Sequence, residues 1–348
     1  MGGCICAAYK LVVVSFVEWG ACALLEICAA ICVDACIART RARSTAVFGD
    51  NIMKKSSTIY HPIFIVGAGR SGTTLLYNLL AMHEDVCWFS NLTEKRPSWP
   101  WLATTHRLVD LPVLGQWMKR QFWQRTRPSL RPSEANRIYH AYVGLDNGRF
   151  LSENDLTPQI THRFHHIIQT HLYYTGKTRF LAKQTTNNQH IRLINALFPD
   201  ARFVHIIRDG RAVAASLARV RWWPHIRVWW LGQTPTDWAT AGNDPIELCI
   251  RHWQRDVAVI LENRHLFADR YLEIRYEELV ESPGTTIGQI LAFVGLADTA
   301  EFRRLLPARL TNMNHKWSHQ LSAAQQRTIM QVAANMLAQL GYGVEEVA

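Results

Sequence analysis

A glycine-rich segment, Gly67-Ala68-Gly69-Arg70-Ser71-Gly72-Thr73-Thr74, lies between an apolar run that ends at Val66 and a leucine-rich run that begins at Leu75. This order predicts a β-strand, a tight turn and the start of an α-helix. The backbone N–H groups of such a turn and the helix N-terminus point at one place, where they bind a phosphate or a similar oxyanion. Glycine lets the backbone come close to the anion, and Arg70 adds a planar positive group.

The loop departs from the Walker A motif, G-x-x-x-x-G-K-[ST], at one position. Gly67 and Gly72 keep the spacing, but Thr73 stands where the motif has lysine, and the cation lies inside the loop at Arg70. This arrangement favours a 5′-phosphosulfate or a monophosphate over a β/γ-phosphate pair with magnesium. The structural alternative is an ordinary strand-to-helix turn without a ligand.

A second segment predicts another anion site. The apolar run from Phe203 to Ile207 is typical of a buried parallel strand. Arg208 follows at its carboxyl end, where ligands bind in open α/β sheets. A helix is predicted to start at Gly210, with Ser216 about two turns along it. Arg208 and Ser216 could therefore hold a second phosphate, and the alternative is a surface ion pair between Arg208 and Asp209.

Together the two segments resemble the sulfotransferases that use 3′-phosphoadenosine-5′-phosphosulfate (PAPS). The first is similar to the family's 5′-phosphosulfate loop in its Arg-Ser-Gly-Thr-Thr form, which looks like tyrosylprotein sulfotransferases and many bacterial sulfotransferases. The second is similar to the family's 3′-phosphate motif, an arginine followed eight residues later by a serine. The resemblance runs from about Ile59 to Tyr342 and includes Phe180-Leu181-Ala182-Lys183, 197–203, 275–280 and Lys316-Trp317.

The resemblance implies roles for individual residues. Arg70 would neutralise charge on the departing phosphate oxygen, and Lys183 would reach the sulfonate. Arg208 and Ser216 would grip the 3′-phosphate. The structural alternatives are a surface position for Lys183 and Lys316 and a core position for Tyr276. The full set implied for the nucleotide is Gly69, Arg70, Ser71, Gly72, Thr73, Thr74, Arg208, Ser216, Tyr276 and Lys316.

Sulfuryl transfer, like phosphoryl transfer, depends mostly on positioning and charge stabilisation, but a general base must take the proton of the acceptor hydroxyl. In the family that the chain resembles, cytosolic members use a histidine as this base, and the tyrosylprotein type uses a glutamate after the first helix. Glu94 falls in about that place and is the predicted base, with Glu153 as the second candidate and His106 as the third. The mechanism requires no metal.

The remaining pattern predicts an α/β fold, a P-loop-like parallel sheet flanked by helices, because strands alternate with helices. The predicted fold also includes a helical substrate cap. Residues 222–230, rich in tryptophan, could be core or a cap on the substrate side. The predicted strands are 63–66, 179–182, 202–207 and 271–275. The predicted helices are 73–82, 160–172, 191–198, 248–261, 286–294 and 322–340, with a further helix starting at Gly210.

The first 52 residues form a hydrophobic, cysteine-rich leader, and residues 53–348 form the predicted sulfotransferase domain. Residues 11–37 have the length of a transmembrane or interfacial helix, and the three arginines that follow would leave the domain in the cytoplasm. Three acidic residues weigh against a lipid-exposed span, since each costs about 2.5–3.5 kcal/mol near its centre. The other interpretation is a leader outside the mature protein, with the true start at Met53.

Charge supports an anionic substrate. The chain carries 38 Lys+Arg against 28 Asp+Glu, a formal net charge of +10, which suits an anionic donor. Nucleic-acid binding is not predicted, because no zinc finger or RNP motif is present.

The predicted acceptor is a hydroxyl of a carbohydrate, a lipid or another metabolite. Two alternatives remain: a non-catalytic nucleotide-binding module, and a phosphotransferase with a degenerate P-loop, although Arg208 stands where a Walker B strand should reach aspartate.

Overall fold

The computed structural model describes residues 59–123, 130–145 and 151–343. The predictions for the leader, residues 1–52, lie outside the described residues. Within the described part of the chain, no helix combines the length and the apolar character that crossing a lipid bilayer requires.

The described residues form one parallel sheet. Its strands are β1 Ile63–Val66, β2 Val86–Cys87, β3 Arg179–Lys183, β4 Arg202–Ile207 and β5 Tyr271–Arg275. Their order across the sheet is β2-β3-β1-β4-β5, and every neighbouring pair is parallel. The first strand is therefore central, and the loop that follows it opens at the middle of the sheet's carboxyl edge.

Helices supply the crossover connections that parallel strands need. The described α-helices are α1 Thr73–Leu80, α2 Asn91–Lys95, α3 Leu114–Trp123, α4 Asn136–Val143, α5 Pro158–Thr175, α6 Ile191–Leu197, α7 Gly210–Leu217, α8 Pro235–Thr240, α9 Pro245–Asn263, α10 Tyr276–Glu281, α11 Pro283–Val294, α12 Ala300–Arg303, α13 Trp317–Gln320 and α14 Ala323–Gln339. The 3₁₀ segments are Pro100–Asp110, Glu153–Asp155, Thr185–Asn187, Trp223–His225, Arg264–Arg270 and Asn314–Lys316.

Alternate residues of β1 are buried on opposite faces of the sheet. Ile63 and Ile65 belong to one core cluster, which includes residues of α1 and α11. Phe64 and Val66 belong to another, which includes residues of α5 and α6. Because both faces are covered, the strand is apolar along its whole length, as is usual for a parallel sheet. A third cluster joins α7, α9 and α14.

The predicted fold class is confirmed, and most predicted elements lie where the sequence placed them. β1, β4 and β5 have the predicted bounds, and β3 extends one residue further, to Lys183. The predicted terminal helix is α14, where the Ser322 side chain accepts a hydrogen bond from the Gln325 backbone N–H. The sequence analysis missed β2, because a strand of two residues is too short to show a periodic pattern.

Candidate functional site

The glycine-rich loop turns the chain sharply at the carboxyl end of the central strand. Gly67 and Gly72 have φ angles of 146° and 91°, in a region that favours glycine. A Cβ atom at Gly67 would lie 2.4 Å from the backbone oxygen of Ile206, and one at Gly72 would lie 2.6 Å from the Tyr276 ring. Both glycines therefore let the loop pack closely against β4 and α10.

Arg70 lies in the turn with a φ angle of 72°, which is uncommon for a residue that carries a Cβ. Its backbone oxygen accepts a hydrogen bond from Arg208 Nη1 at 2.9 Å. Its side-chain Nε donates to Ser216 Oγ at 3.1 Å. The two segments that the sequence analysis treated as separate anion sites are thus in direct contact.

Asn188 fixes the start of the loop. Its Oδ1 accepts a hydrogen bond from the Gly67 N–H at 2.9 Å, and its Nδ2 donates to the Gly67 carbonyl oxygen at 2.9 Å. Asn188 is buried and lies in the segment that follows β3. Asn188 was not predicted as a site residue, because a single asparagine 121 positions away from its partner gives no local signal.

Replacing Gly67 with alanine is expected to destabilise the fold by about 2–4 kcal/mol, since it combines a strained φ angle with overpacking against β4. Gly69→Ala is the matched control in the same loop, because a Cβ there has no atom within 4 Å. That variant should stay within about 0.5 kcal/mol of the original protein. Urea denaturation measures both, and equal stabilities of the two variants would contradict the expectation.

Arg208 is a buried cation at the end of β4. It is 7% exposed, and its guanidinium lies 4.2 Å from the centroid of the Tyr276 ring. Its Nε donates to Asn314 Oδ1 at 2.8 Å. Burial lowers the pKa of Arg208 below its ordinary value, and nearby Tyr276 and Glu277 oppose this. Since arginine stays protonated in proteins, the site keeps a permanent positive charge.

A cleft of about 880 Å³ runs along these two segments, within the usual range for a small-molecule site. We call it the first cleft. Among the described residues that line it, Arg70, Arg208, Arg219, Arg309 and Lys316 are cations and none is a carboxylate. Such a lining concentrates anions. The residues predicted for the nucleotide that line it are Arg70, Gly72, Thr73, Thr74, Arg208, Ser216, Tyr276 and Lys316.

A second cleft, of about 430 Å³, meets the first at the glycine-rich loop. Arg70, Thr73 and Thr74 line both clefts. Gly69, also predicted for the nucleotide, lines the second cleft, whereas Ser71 is fully buried and lines neither cleft. The remaining lining residues of the second cleft are Glu134, Asn136, Lys183, Thr185, Thr186, Gln189, Leu217, Trp222, Ile226, Arg227, Trp229, His252 and Asp256.

Lys183 connects the loop to the second cleft. It is buried, its Nζ donates to Thr74 Oγ1 at 3.0 Å, and it forms an ion pair with Glu134. A reacting group bound at the loop would therefore meet a cation, a hydroxyl and a carboxylate together. Glu134 was not predicted as a site residue, because a carboxylate just before α4 belongs to no recognisable sequence motif.

Glu94, the predicted base, is not among the residues that line either cleft. It lies in α2, and its carboxylate accepts a hydrogen bond from Ser133 Oγ. Ser133 is the residue before Glu134, so the predicted base contacts a segment that carries one of the carboxylates of the second cleft. The assignment of Glu94 as the base stays a prediction.

The two other base candidates are also absent from the lining of the clefts. Glu153 accepts a hydrogen bond from Arg192 Nε at 2.6 Å, and this bond lowers the pKa of the carboxyl group. His106 is 2% exposed, with its ring centroid 4.0 Å from that of Trp88. Burial lowers the pKa of His106 well below 6.5, which makes it a weak base.

Comparison with known proteins agrees with this geometry. The family model described as "Sulfotransferase family" matches residues 62–301, a range that includes the loop, Lys183, Arg208 and Ser216. The solved structure of the sulfotransferase STF9 from Mycobacterium avium is similar in fold, with a TM-score of 0.53 at 17% sequence identity. That likeness covers 86% of this chain and 82% of the other.

Two curated proteins are similar to most of the chain. The omega-hydroxy-beta-dihydromenaquinone-9 sulfotransferase Stf3 of Mycobacterium bovis is 25% identical, over 81% of this chain and 75% of that protein. The nodulation protein NoeE of Sinorhizobium fredii is 24% identical, over 80% of this chain and 65% of that protein.

Proposed function

Because this chain belongs to the sulfotransferase family, we propose that its first cleft binds PAPS and its second cleft binds the acceptor alcohol. As a member of the family, the protein is an enzyme that transfers a sulfuryl group to a hydroxyl acceptor, and this decides against the phosphotransferase and the non-catalytic module. One observation carries the assignment of the clefts. They meet at Arg70, Thr73 and Thr74, where a group could pass from one to the other.

The donor end of the proposal rests on the charge of the first cleft. The loop from Gly69 to Thr74 would hold the 5′-phosphosulfate with backbone and hydroxyl donors. Arg208 and Ser216 would hold the 3′-phosphate, and Tyr276 and Lys316 would lie along the nucleotide. Thr73 and Thr74 line both clefts and would supply the hydroxyl donors, whereas the Ser71 side chain is fully buried and lines neither cleft.

The chemistry would take place at the loop. Arg70 would stabilise the negative charge that grows on the departing phosphate oxygen, as cations do in the analogous phosphoryl transfers. Lys183, held by Thr74, would neutralise the transferring sulfuryl oxygens. Glu134 would accept the proton of the acceptor hydroxyl, because it is the carboxylate that the second cleft offers beside Lys183. Glu94 remains the alternative base, and the absence of a metal requirement remains a prediction.

Selectivity for the 3′-phosphate tests the donor assignment. Wild-type protein should bind 3′-phosphoadenosine-5′-phosphate (PAP) much more tightly than adenosine 5′-phosphate. Arg208→Lys keeps the charge but loses the planar fork, so it should reduce that preference by about tenfold or more. Calorimetric titration with both nucleotides gives the ratio.

The control for the selectivity experiment is Arg219→Lys, a change at an exposed lining residue of the same cleft. It should leave the preference for PAP nearly unchanged, since an exposed cation in solvent contributes little. If Arg208→Lys and the original protein discriminate between the two nucleotides to the same degree, the 3′-phosphate assignment is wrong.

The acceptor class follows from the second cleft and from the relatives. The relative from Mycobacterium bovis is named as a sulfotransferase of omega-hydroxy-beta-dihydromenaquinone-9, and Trp222, Ile226 and Trp229 give the second cleft an apolar side. Both support a lipid or another largely apolar alcohol over a carbohydrate.

The sulfotransferase domain would comprise residues 53–348, since the chain beyond the family match continues into α14, which packs with α9 in one core cluster.

A further inference from the structure

One side of the second cleft is formed by the tryptophan-rich segment 222–230, which we call the aromatic wall. Trp222 lines the cleft together with Leu217 and Ile226, yet it is 51% exposed. Apolar and aromatic side chains are typical of the lining of a small-molecule site. Through Trp222 and Ile226 the wall therefore presents apolar surface to whatever occupies the second cleft, beside the exposed cation Arg227.

The aromatic wall is anchored by its own core contacts. Trp223 and Val228 are buried in the cluster that joins α7, α9 and α14. The Val228 N–H donates to the carbonyl oxygen of Gln233 at 2.9 Å, and Thr236 Oγ1 donates to that of Pro224 at 2.7 Å. Because these contacts fix the chain that directly follows Trp222, the exposed indole is attached to a packed segment.

Two indole N–H groups attach the wall to α9. Trp229 Nε1 donates to Asp256 Oδ1 at 3.0 Å, and Trp230 Nε1 donates to His252 Nδ1 at 3.4 Å. Asp256 is 4% exposed, and its other oxygen lies 3.7 Å from His252 Nε2. A buried carboxylate needs such donors, so Asp256 and Trp229 hold each other in one arrangement.

The second cleft is also lined by polar side chains of other segments. Glu134, Lys183 and Gln189 are among them. Gln189 is 7% exposed, and its Oε1 has no hydrogen-bond partner among the described residues. An acceptor that suits both kinds of lining has an apolar body and a polar head.

We propose that the aromatic wall is the element that selects the acceptor: it takes an alcohol with an apolar body that lies against Trp222 while the hydroxyl points to Glu134. This inference rests on the proposed function and names the substrate class of the second cleft. Trp222 is the specificity-determining residue. Asp256 is a positioning residue, which acts on the acceptor through its hydrogen bond to Trp229, and Trp229 both lines the cleft and holds the wall.

The test compares an apolar and a polar alcohol as acceptors, geraniol and glycerol, with labelled PAPS as donor. Trp222→Ala should raise the KM for geraniol by about tenfold or more, because the apolar body loses the surface that covers it. The KM for glycerol and the affinity for PAP should stay within about twofold. Trp101→Ala is the matched control, since Trp101 is 42% exposed and is not a lining residue of either cleft.

The positioning role has its own readout. Trp229→Phe and Asp256→Asn should each raise the KM for geraniol about threefold to tenfold with kcat nearly unchanged. In the double variant the KM for geraniol should be little higher than in the more affected single variant, because both changes break the same hydrogen bond. The role of the wall would be overturned if these variants lowered kcat without raising the KM for geraniol. It would also be overturned if they affected geraniol and glycerol equally.

Binding of geraniol to the complex of the protein with PAP requires no turnover. Calorimetry on that complex therefore tests the role of the aromatic wall separately from the proposed sulfuryl transfer. Weaker geraniol binding by Trp222→Ala but not by Trp101→Ala supports the wall. Equal binding by the two variants, or wild-type binding of glycerol as tight as that of geraniol, overturns it. Intact geraniol binding with no sulfuryl transfer to any alcohol would contradict the proposed function instead.

Discussion

Replacing Arg70 with alanine is expected to lower kcat for sulfuryl transfer by about 10³-fold and to weaken PAP binding by no more than about tenfold. Arg70 lines both clefts, so it lies where the transferred group would change partners. Negative charge grows on the departing phosphate oxygen during the reaction. A cation at that point therefore stabilises the transition state more than the bound donor. Steady-state kinetics with labelled PAPS and calorimetry with PAP measure the two quantities.

Arg70→Lys is the matched variant, because it keeps a positive charge without the planar fork. Its kcat should fall between those of the original protein and Arg70→Ala. The φ angle of 72° disfavours all three residues in a similar way, since each carries a Cβ, so backbone strain does not explain a difference between them. If Arg70→Ala lost affinity for PAP as strongly as it lost rate, Arg70 would only bind the ground state.

The parts of the site that the sequence predicted are those with a local signal. The loop from Gly67 to Thr74 has its glycines at fixed spacing, and Arg208 directly follows an apolar strand. Parallel strands bring their carboxyl ends to one edge, where ligands bind. The contact between Arg70 and Ser216 therefore follows from the fold class once both segments are recognised. The same reasoning accounts for the single cleft that they share.

The residues that the sequence analysis missed act through contacts between distant parts of the chain. Asn188 holds Gly67 from 121 positions away, and Asn314 holds Arg208 from 106 positions away. Glu134 reaches Lys183 across 49 positions. Each is a common polar residue whose partner depends on how helices and strands pack, and packing is not encoded in a short pattern. Glu94 was predicted as the general base from its position after the first helix. In the structure its carboxylate contacts Ser133 and does not line either cleft.

Glu134→Gln is expected to lower kcat by about 10²–10⁴-fold, the usual contribution of a general base. Glutamine keeps the shape of the side chain and can still accept a hydrogen bond from Lys183, but it cannot take a proton. PAP affinity should change little, because Glu134 lines the second cleft and is not a lining residue of the first. Single-turnover transfer from labelled PAPS isolates the chemical step from product release.

Glu94→Gln decides between the two carboxylates, since both variants make the same chemical change. If Glu134 is the base, Glu94→Gln should keep kcat within about threefold of the original, as it removes one charge from a half-buried residue outside the clefts. A larger loss in Glu94→Gln than in Glu134→Gln would instead assign the base to Glu94. Thermal melting of both variants shows whether the folded protein is intact, because Glu134 is also the ion-pair partner of buried Lys183.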